Sequence, residues 1–131
     1  MKILICGSRG WTNPTPINDY IKKQKEEYGD DLIIVQGNAD GVDTFAKLTC
    51  VMLGIEHNDY PITSMLRRFF KNGAGRVRNE EMYRTERPDR IVAFKHEGSP
   101  GTEHMIQIGK EHDTEVVVFY ENDADSVNRS Y

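Results

Sequence analysis

Small residues, hydroxyls and arginines gather at four places in this chain, each time in an order suited to holding an anion. The first is Gly7-Ser8-Arg9-Gly10-Trp11-Thr12. A glycine such as Gly7 lets the backbone turn tightly and lets a phosphate approach the amide groups. Ser8 adds a hydroxyl, and Arg9 adds a forked cation matched to phosphate oxygens. The second place is Gln36 to Asp43, where Gly37 and Gly41 bracket Asn38 and Asp40 and lead into a helix start. The partial positive charge of that helix end favours an anion. Asp40 and Asp43 act against a phosphate there, and each can instead cap the helix or hold a ribose hydroxyl. Capping is the simpler role for Asp40.

The third place is Lys71 to Glu80, with Gly73 and Gly75 followed by Arg76 and Arg78. Arginines at a helix start oppose its dipole, so an anion explains them, with a solvated basic face as the alternative. Asn79 beside them can bond a base or a backbone turn. The fourth place is Glu97 to Glu103, where Gly98, Ser99, Pro100, Gly101 and Thr102 again precede a helix. Ser99, Thr102 and their amides can face a phosphate, and a purely structural turn explains Pro100 and Gly101 equally well. The second loop lacks the Gly-Lys-Ser/Thr of a Walker A and is no full G-x-G-x-x-G.

The elements that must position these loops are legible from hydrophobic patterning. Ile3–Cys6, Leu32–Val35, Ile91–Phe94 and Val116–Phe119 are continuous apolar runs, as strands buried on both faces are. A weaker strand is expected over Ile55–Tyr60. Between them, Ile17–Tyr28, Gly41–Leu53, Arg76–Thr85 and Thr102–His112 read as helices. Asp40 and Thr102 are expected as N-caps, Pro16 in a first turn, and Gly29 and Gly54 as helix stops. Pro61–Gly75 reads as irregular, with a helical turn or more at Met65–Phe70. The alternation predicts an α/β Rossmann-like three-layer sandwich with about five parallel strands over residues 1–120. A polar, loose tail is expected at 121–131. In such sheets ligands bind beyond the carboxyl ends of the strands, and all four loops fall there.

Composition sets outer bounds. The chain has 131 residues, the size of one domain, and a formal charge of −4. That balance argues against a general nucleic-acid surface. The exception is the basic stretch Lys71–Arg90, which suits a small anion better than a duplex. No segment approaches the roughly 20 apolar residues of a membrane helix, and the N-terminus reads as a strand rather than a signal peptide. A cytoplasmic protein with no membrane partner is therefore expected. Cys6 and Cys50 read as two buried reduced thiols. His104 and His112 are eight residues apart on one helix, about 12 Å, too far to share an ion. No metal and no cofactor are expected. Trp11 is either core or a pocket wall.

The ordered set Gly7–Thr12, Gly37–Asp43, Gly75–Met82, Pro88–Phe94 and Gly98–Thr102 resembles the SLOG superfamily, most closely its compact YspA/YpsA-related branch of bacteria and phages. The resemblance implies a Rossmann-like fold that binds nucleotides or nucleotide-derived molecules, and a homodimer or higher homo-oligomer. Arg78 and Asn79 match the branch's Arg-Asn pair. More distantly related lonely-guy enzymes cleave the N-glycosidic bond of nucleoside monophosphates with a Pro-Gly-Gly-x-Gly-Thr-x-x-Glu motif. Here Met105 stands where that catalytic glutamate would be, and Glu103 lies two residues earlier on another helix face.

Three readings follow. The leading one is a sensor, carrier or sequestering protein for a nucleotide-like phosphate ligand, held by Gly7, Ser8, Arg9, Trp11, Gly37, Asn38, Asp40, Gly41, Asp43, Arg76, Arg78, Asn79, Gly98, Ser99, Gly101 and Thr102. The second is a glycosidic hydrolase of nucleoside monophosphates or ADP-ribose-like nucleotides, with Glu103 and Asp43 as the catalytic carboxylates. The third is a phage or bacterial interaction domain.

Overall fold

A computed structural model describes residues 1–96 and 98–120 and the backbone of 128–130. The apolar runs form β1 (Lys2–Gly7), β2 (Ile33–Gln36), β4 (Arg90–Lys95) and β5 (Glu115–Tyr120), with β3 (Glu56–Asp59) as a polar edge strand. The sheet order is β3-β2-β1-β4-β5-β6, where β6 is Asn128–Ser130. The first five strands run parallel, and β6 pairs antiparallel with β5. That sixth strand falls inside the stretch expected as a tail. The rest of that expectation, at 121–127 and 131, lies outside the described residues.

Five helices connect the strands: α1 (Thr15–Tyr28), α2 (Val42–Leu53), α3 (Ser64–Phe70), α4 (Ala74–Glu86) and α5 (Pro100–Glu111). Successive strand residues point to opposite faces, which divides the core in two. Ile3 and Ile5 pack under α1 and α2 with Ile17, Ile21 and Ala46. Leu4 and Val35 pack under α4 and α5 with Met82 and Met105. Each fully buried aliphatic side chain contributes about 1.5–3 kcal/mol to the three-layer sandwich. The chain is Rossmann-like, and the reversal of strand order between β1 and β4 opens a crevice at their carboxyl ends. Among the described residues no helix is long and apolar enough to cross a membrane.

Several helix ends differ from expectation. Gly41, at φ +75°, occupies the N-cap position of α2, and exposed Asp40 caps nothing. The side chain that does cap is Thr63, whose hydroxyl accepts from the Leu66 amide at 3.1 Å and starts α3. Thr102 lies inside α5, because Pro100 takes the first helical position, where no N–H is needed. Gly29 and Gly54 do end α1 and α2, each with positive φ. Cys50 is buried, but Cys6 at the end of β1 is only half-buried.

Candidate functional site

The β1 and β4 ends are joined first. The Ser8 amide donates to Phe94 O at 3.0 Å, which extends the β1–β4 ladder by one residue. The Ser8 hydroxyl accepts from the His96 amide at 2.7 Å and lies 2.5 Å from Ser99 Oγ. Ser99 in turn donates to His96 O at 3.2 Å. The one proton of Ser8 therefore goes to Ser99, and that of Ser99 to the backbone. These hydroxyls tie the β1–α1 and β4–α5 loops together, and neither keeps its proton free for an anion.

The second loop crosses the first at a distance only glycine allows. A Cβ on Gly41 would lie 2.5 Å from Arg9 O and 2.6 Å from Ser8 O. The turn aims Asp43 inward from the first turn of α2. Asp43 is 6% exposed, and its Oδ2 accepts from the Ala39 amide at 3.1 Å. Oδ1 is buried with no hydrogen-bond partner among the described residues. Burial pushes the Asp43 carboxyl up to about 6, against the pull of the Ala39 and Gly37 amides and of Arg78 and Arg9.

Arg78, on α4, reaches across to the second loop. Its Nη1 donates to Gly37 O at 2.6 Å and to Tyr60 O at 3.1 Å, and its Nε to Asn79 Oδ1 at 3.0 Å. Nη2 keeps both protons free of any bond among the described residues. Asn79 is buried and donates to Gly101 O at 3.2 Å, so of its two expected roles it takes the backbone one. His104 faces it at 3.3 Å, and burial, with nearby Arg76, holds that imidazole below its usual value. A neutral His104 ring can accept from Asn79.

These residues enclose one cavity of about 580 Å³, in the range of small-ligand sites. It brings together Gly7, Ser8, Arg9, Gly37, Asp43, Arg76, Arg78, Asn79, Gly98, Ser99, Gly101 and Thr102. Arg9 and Arg76 are exposed at it and make no ion pair among the described residues. Pro100, Gly101 and Thr102 bring the start of α5 to the same wall, where the Gly101 and Thr102 amides lie in the unpaired first turn.

Five of the residues named from the sequence lie elsewhere. Glu103 is exposed on the outer side of α5 and ion-pairs with Lys95. Asn38 is exposed and receives Lys47 at 3.3 Å. Asp40 and Gly41 belong to the turn and do not line the cavity. Trp11 is core: 2% exposed, bonded through its indole N–H to Asn13 O at 2.5 Å, and stacked behind His96 at 5.8 Å. Met105 is wholly buried in the α4–α5 core.

Cavity residues not named as site residues from the sequence include Cys6, Asn72, Met82 and His96. His96 was reachable, since it follows β4 as Ser8 follows β1. Burial, with Asp43 adding to it, pushes the Cys6 thiol far up, which disfavours the thiolate. Among the described residues no three metal-ligating side chains cluster.

No family model matches the chain, and no curated protein does. Among solved structures, DNA processing protein A from Streptococcus pneumoniae is similar, with a TM-score of 0.68 at 16% identity. The likeness covers 95% of this chain and 52% of that one, so this chain spans about half its length. At that identity what the two share is the Rossmann-like fold.

Proposed function

We propose that this chain binds a nucleotide-like ligand through its phosphate, as a sensor, carrier or sequestering protein. The observation that carries the reading is the convergence of unpaired cations on one cavity. Arg9, Arg76 and the free nitrogen of Arg78 meet the amide end of α5 there, in a protein whose overall charge is −4. Charge-assisted bonds from guanidinium to phosphate are the strong kind, and a helix start adds aligned amides. The motif order resembling the SLOG superfamily supports the same class of ligand.

Calorimetric titration with nucleoside mono- and diphosphates, ADP-ribose and cyclic nucleotides tests it. At least one should bind, and the Arg9→Ala/Arg76→Ala double variant should weaken that ligand tenfold or more. A folded protein that binds none of them refutes the proposal. Glycosidic cleavage, with Glu103 turned outward, would rest on Asp43 as the carboxylate.

A second reading has its own observation. Phe69 and Phe70 are 70% and 50% exposed on α3 and are flanked by Arg67, Arg68 and Lys71. Aromatic faces among cations suit stacked bases of a single strand. The structural neighbour is named for DNA processing. Fluorescence anisotropy with a labelled single-stranded oligonucleotide decides this reading. Binding that is lost in Phe69→Ala/Phe70→Ala supports it, and no binding at low salt ends it.

A further inference from the structure

We infer that His104 is a positioning residue for the cavity, acting through Asn79 on Arg78 and on the start of α5. A proton on its Nδ1 breaks that hold, so phosphate binding weakens on acidification. The inference rests on the phosphate reading above and adds a regulation of the same site.

His104 does not line the cavity, but Asn79 does. Asn79 has three neighbours, and two of them have fixed character. Its Nδ2 donates to Gly101 O at 3.2 Å, and a carbonyl oxygen can only accept. Its Oδ1 accepts from Arg78 Nε at 3.0 Å, and a guanidinium N–H can only donate. The orientation of the amide is therefore set from both sides. The third neighbour, His104 Nδ1 at 3.3 Å, takes the remaining Nδ2 proton, which it can do only while it carries none itself. The ring proton then sits on Nε2, on the side of Glu80 Oε1 at 3.7 Å. His104 and Asn79 are both buried, so a bond lost between them is poorly replaced by water.

A second proton on the imidazole turns Nδ1 from acceptor to donor, and it then meets the Asn79 N–H head on. Turning the amide over cures that contact but sets its oxygen against Gly101 O and its NH2 against Arg78 Nε. In either orientation Asn79 cannot serve its three neighbours. Arg78 and Gly101 both line the cavity, so the disturbance reaches it from two walls. The charged groups acting on the ring are Arg76 and Glu80 from α4 and Glu111 from its own helix. The strand faces under α5 are apolar, with Leu4, Ile91, Ala93, Val116 and Val118. Burial first, and then Arg76, oppose the second proton, while Glu80 and Glu111 favour it, and the net effect is to lower the imidazole below its usual value. The folded protein thus keeps Nδ1 free to accept at neutral pH and gives it up on acidification.

Two measurements on the full chain test this. Heteronuclear NMR of the histidine side chains reads the tautomer, and should show His104 as the Nε2–H form at pH 7.5. On titration to pH 5 the Asn79 side-chain amide and Arg78 Nε resonances should move with His104. The Nδ1–H form, or an Asn79 amide that ignores the His104 titration, overturns the inference without any ligand or variant. The second measurement is calorimetric titration with ADP-ribose, cyclic AMP and AMP at pH 7.5 and pH 5, for wild type and His104→Asn. The introduced carbonyl can accept where Nδ1 did and does not titrate, so the variant should keep the affinity seen at pH 7.5. Only the fraction with neutral His104 is competent, so from pH 7.5 to 5 wild-type affinity should fall about threefold or more relative to the variant. Titration of Asp43 and of the probes themselves affects both proteins and cancels in that ratio. His104→Leu, which offers no acceptor, should bind weakly at both pH values. Equal pH dependence in wild type and His104→Asn, or full affinity in folded His104→Leu, overturns the inference and leaves the phosphate reading standing. Absence of binding by all three probes at either pH overturns it too, and if no other phosphate compound binds, the parent reading falls with it.

Discussion

Replacing Asp43 with asparagine should change how the stability of the ligand-free protein varies with pH. The folded protein holds the Asp43 proton up to about pH 6, against an ordinary value of 3.8. Between those values the folded state keeps a proton that the unfolded chain has lost. Unfolding then releases a proton, and stability falls as pH rises through the window. The penalty is absent well below pH 3.8 and complete above about pH 6, where at 1.36 kcal/mol per unit it amounts to about 3 kcal/mol. Asparagine does not titrate, so the variant escapes this slope.

The groups facing Asp43 do not add one of their own. Arg78 stays cationic throughout, and the Cys6 thiol stays protonated. Urea unfolding of both proteins at pH 4, 5, 6 and 7.5, followed by circular dichroism, reads the difference directly. The stability of Asp43→Asn relative to wild type should rise by about 2 kcal/mol from pH 4 to pH 7.5. A difference that stays constant across that range refutes an unpaired, buried carboxylate at this position.

Three further outcomes follow from the same geometry. Gly41→Ala places a Cβ against two backbone carbonyl oxygens at a φ of +75°, and should cost about 2 kcal/mol or more in thermal or urea unfolding. Glu103→Gln removes the exposed carboxylate of a pair whose Lys95 side is 12% exposed and leaves an amide oxygen as acceptor, so it should shift stability by about 1 kcal/mol or less. It should also leave phosphate-ligand affinity in calorimetry unchanged. Asn79→Ala removes the acceptor of Arg78 Nε and the donor to Gly101 O, and should cost about 2 kcal/mol of stability. It should weaken ligand binding as well, because the start of α5 and the reach of Arg78 are both set through Asn79.

The sequence by itself determined the sheet and the edge of it that matters. Strands buried on both faces must be continuously apolar, and Ile3–Cys6 or Ile91–Phe94 can be little else. Once they are parallel, the residues after them share one rim, which placed Gly7, Gly37 and Gly101 together before any coordinates, whereas Arg78 reaches that rim from within α4, beyond α3. Even the polar β3 was visible, though only as a weak run. Local patterning gave no hint of β6, whose pairing partner lies earlier in the chain.

What only the tertiary structure decided was the direction and engagement of single side chains. Glu103 and Asp43 were equal candidates as carboxylates near loops. Packing of α5 turns Glu103 out to Lys95, and the crossing of Gly41 over Ser8 and Arg9 turns Asp43 in. Ser8 looked like a phosphate hydroxyl until its hydrogen bonds with Ser99, 91 residues away, and with the His96 amide were on hand. Spacing along a chain fixes which loops share an edge. Which atom of a loop remains unpaired depends on hydrogen bonds and contacts made by residues far off in sequence, and these leave one buried oxygen of Asp43 without a partner among the described residues.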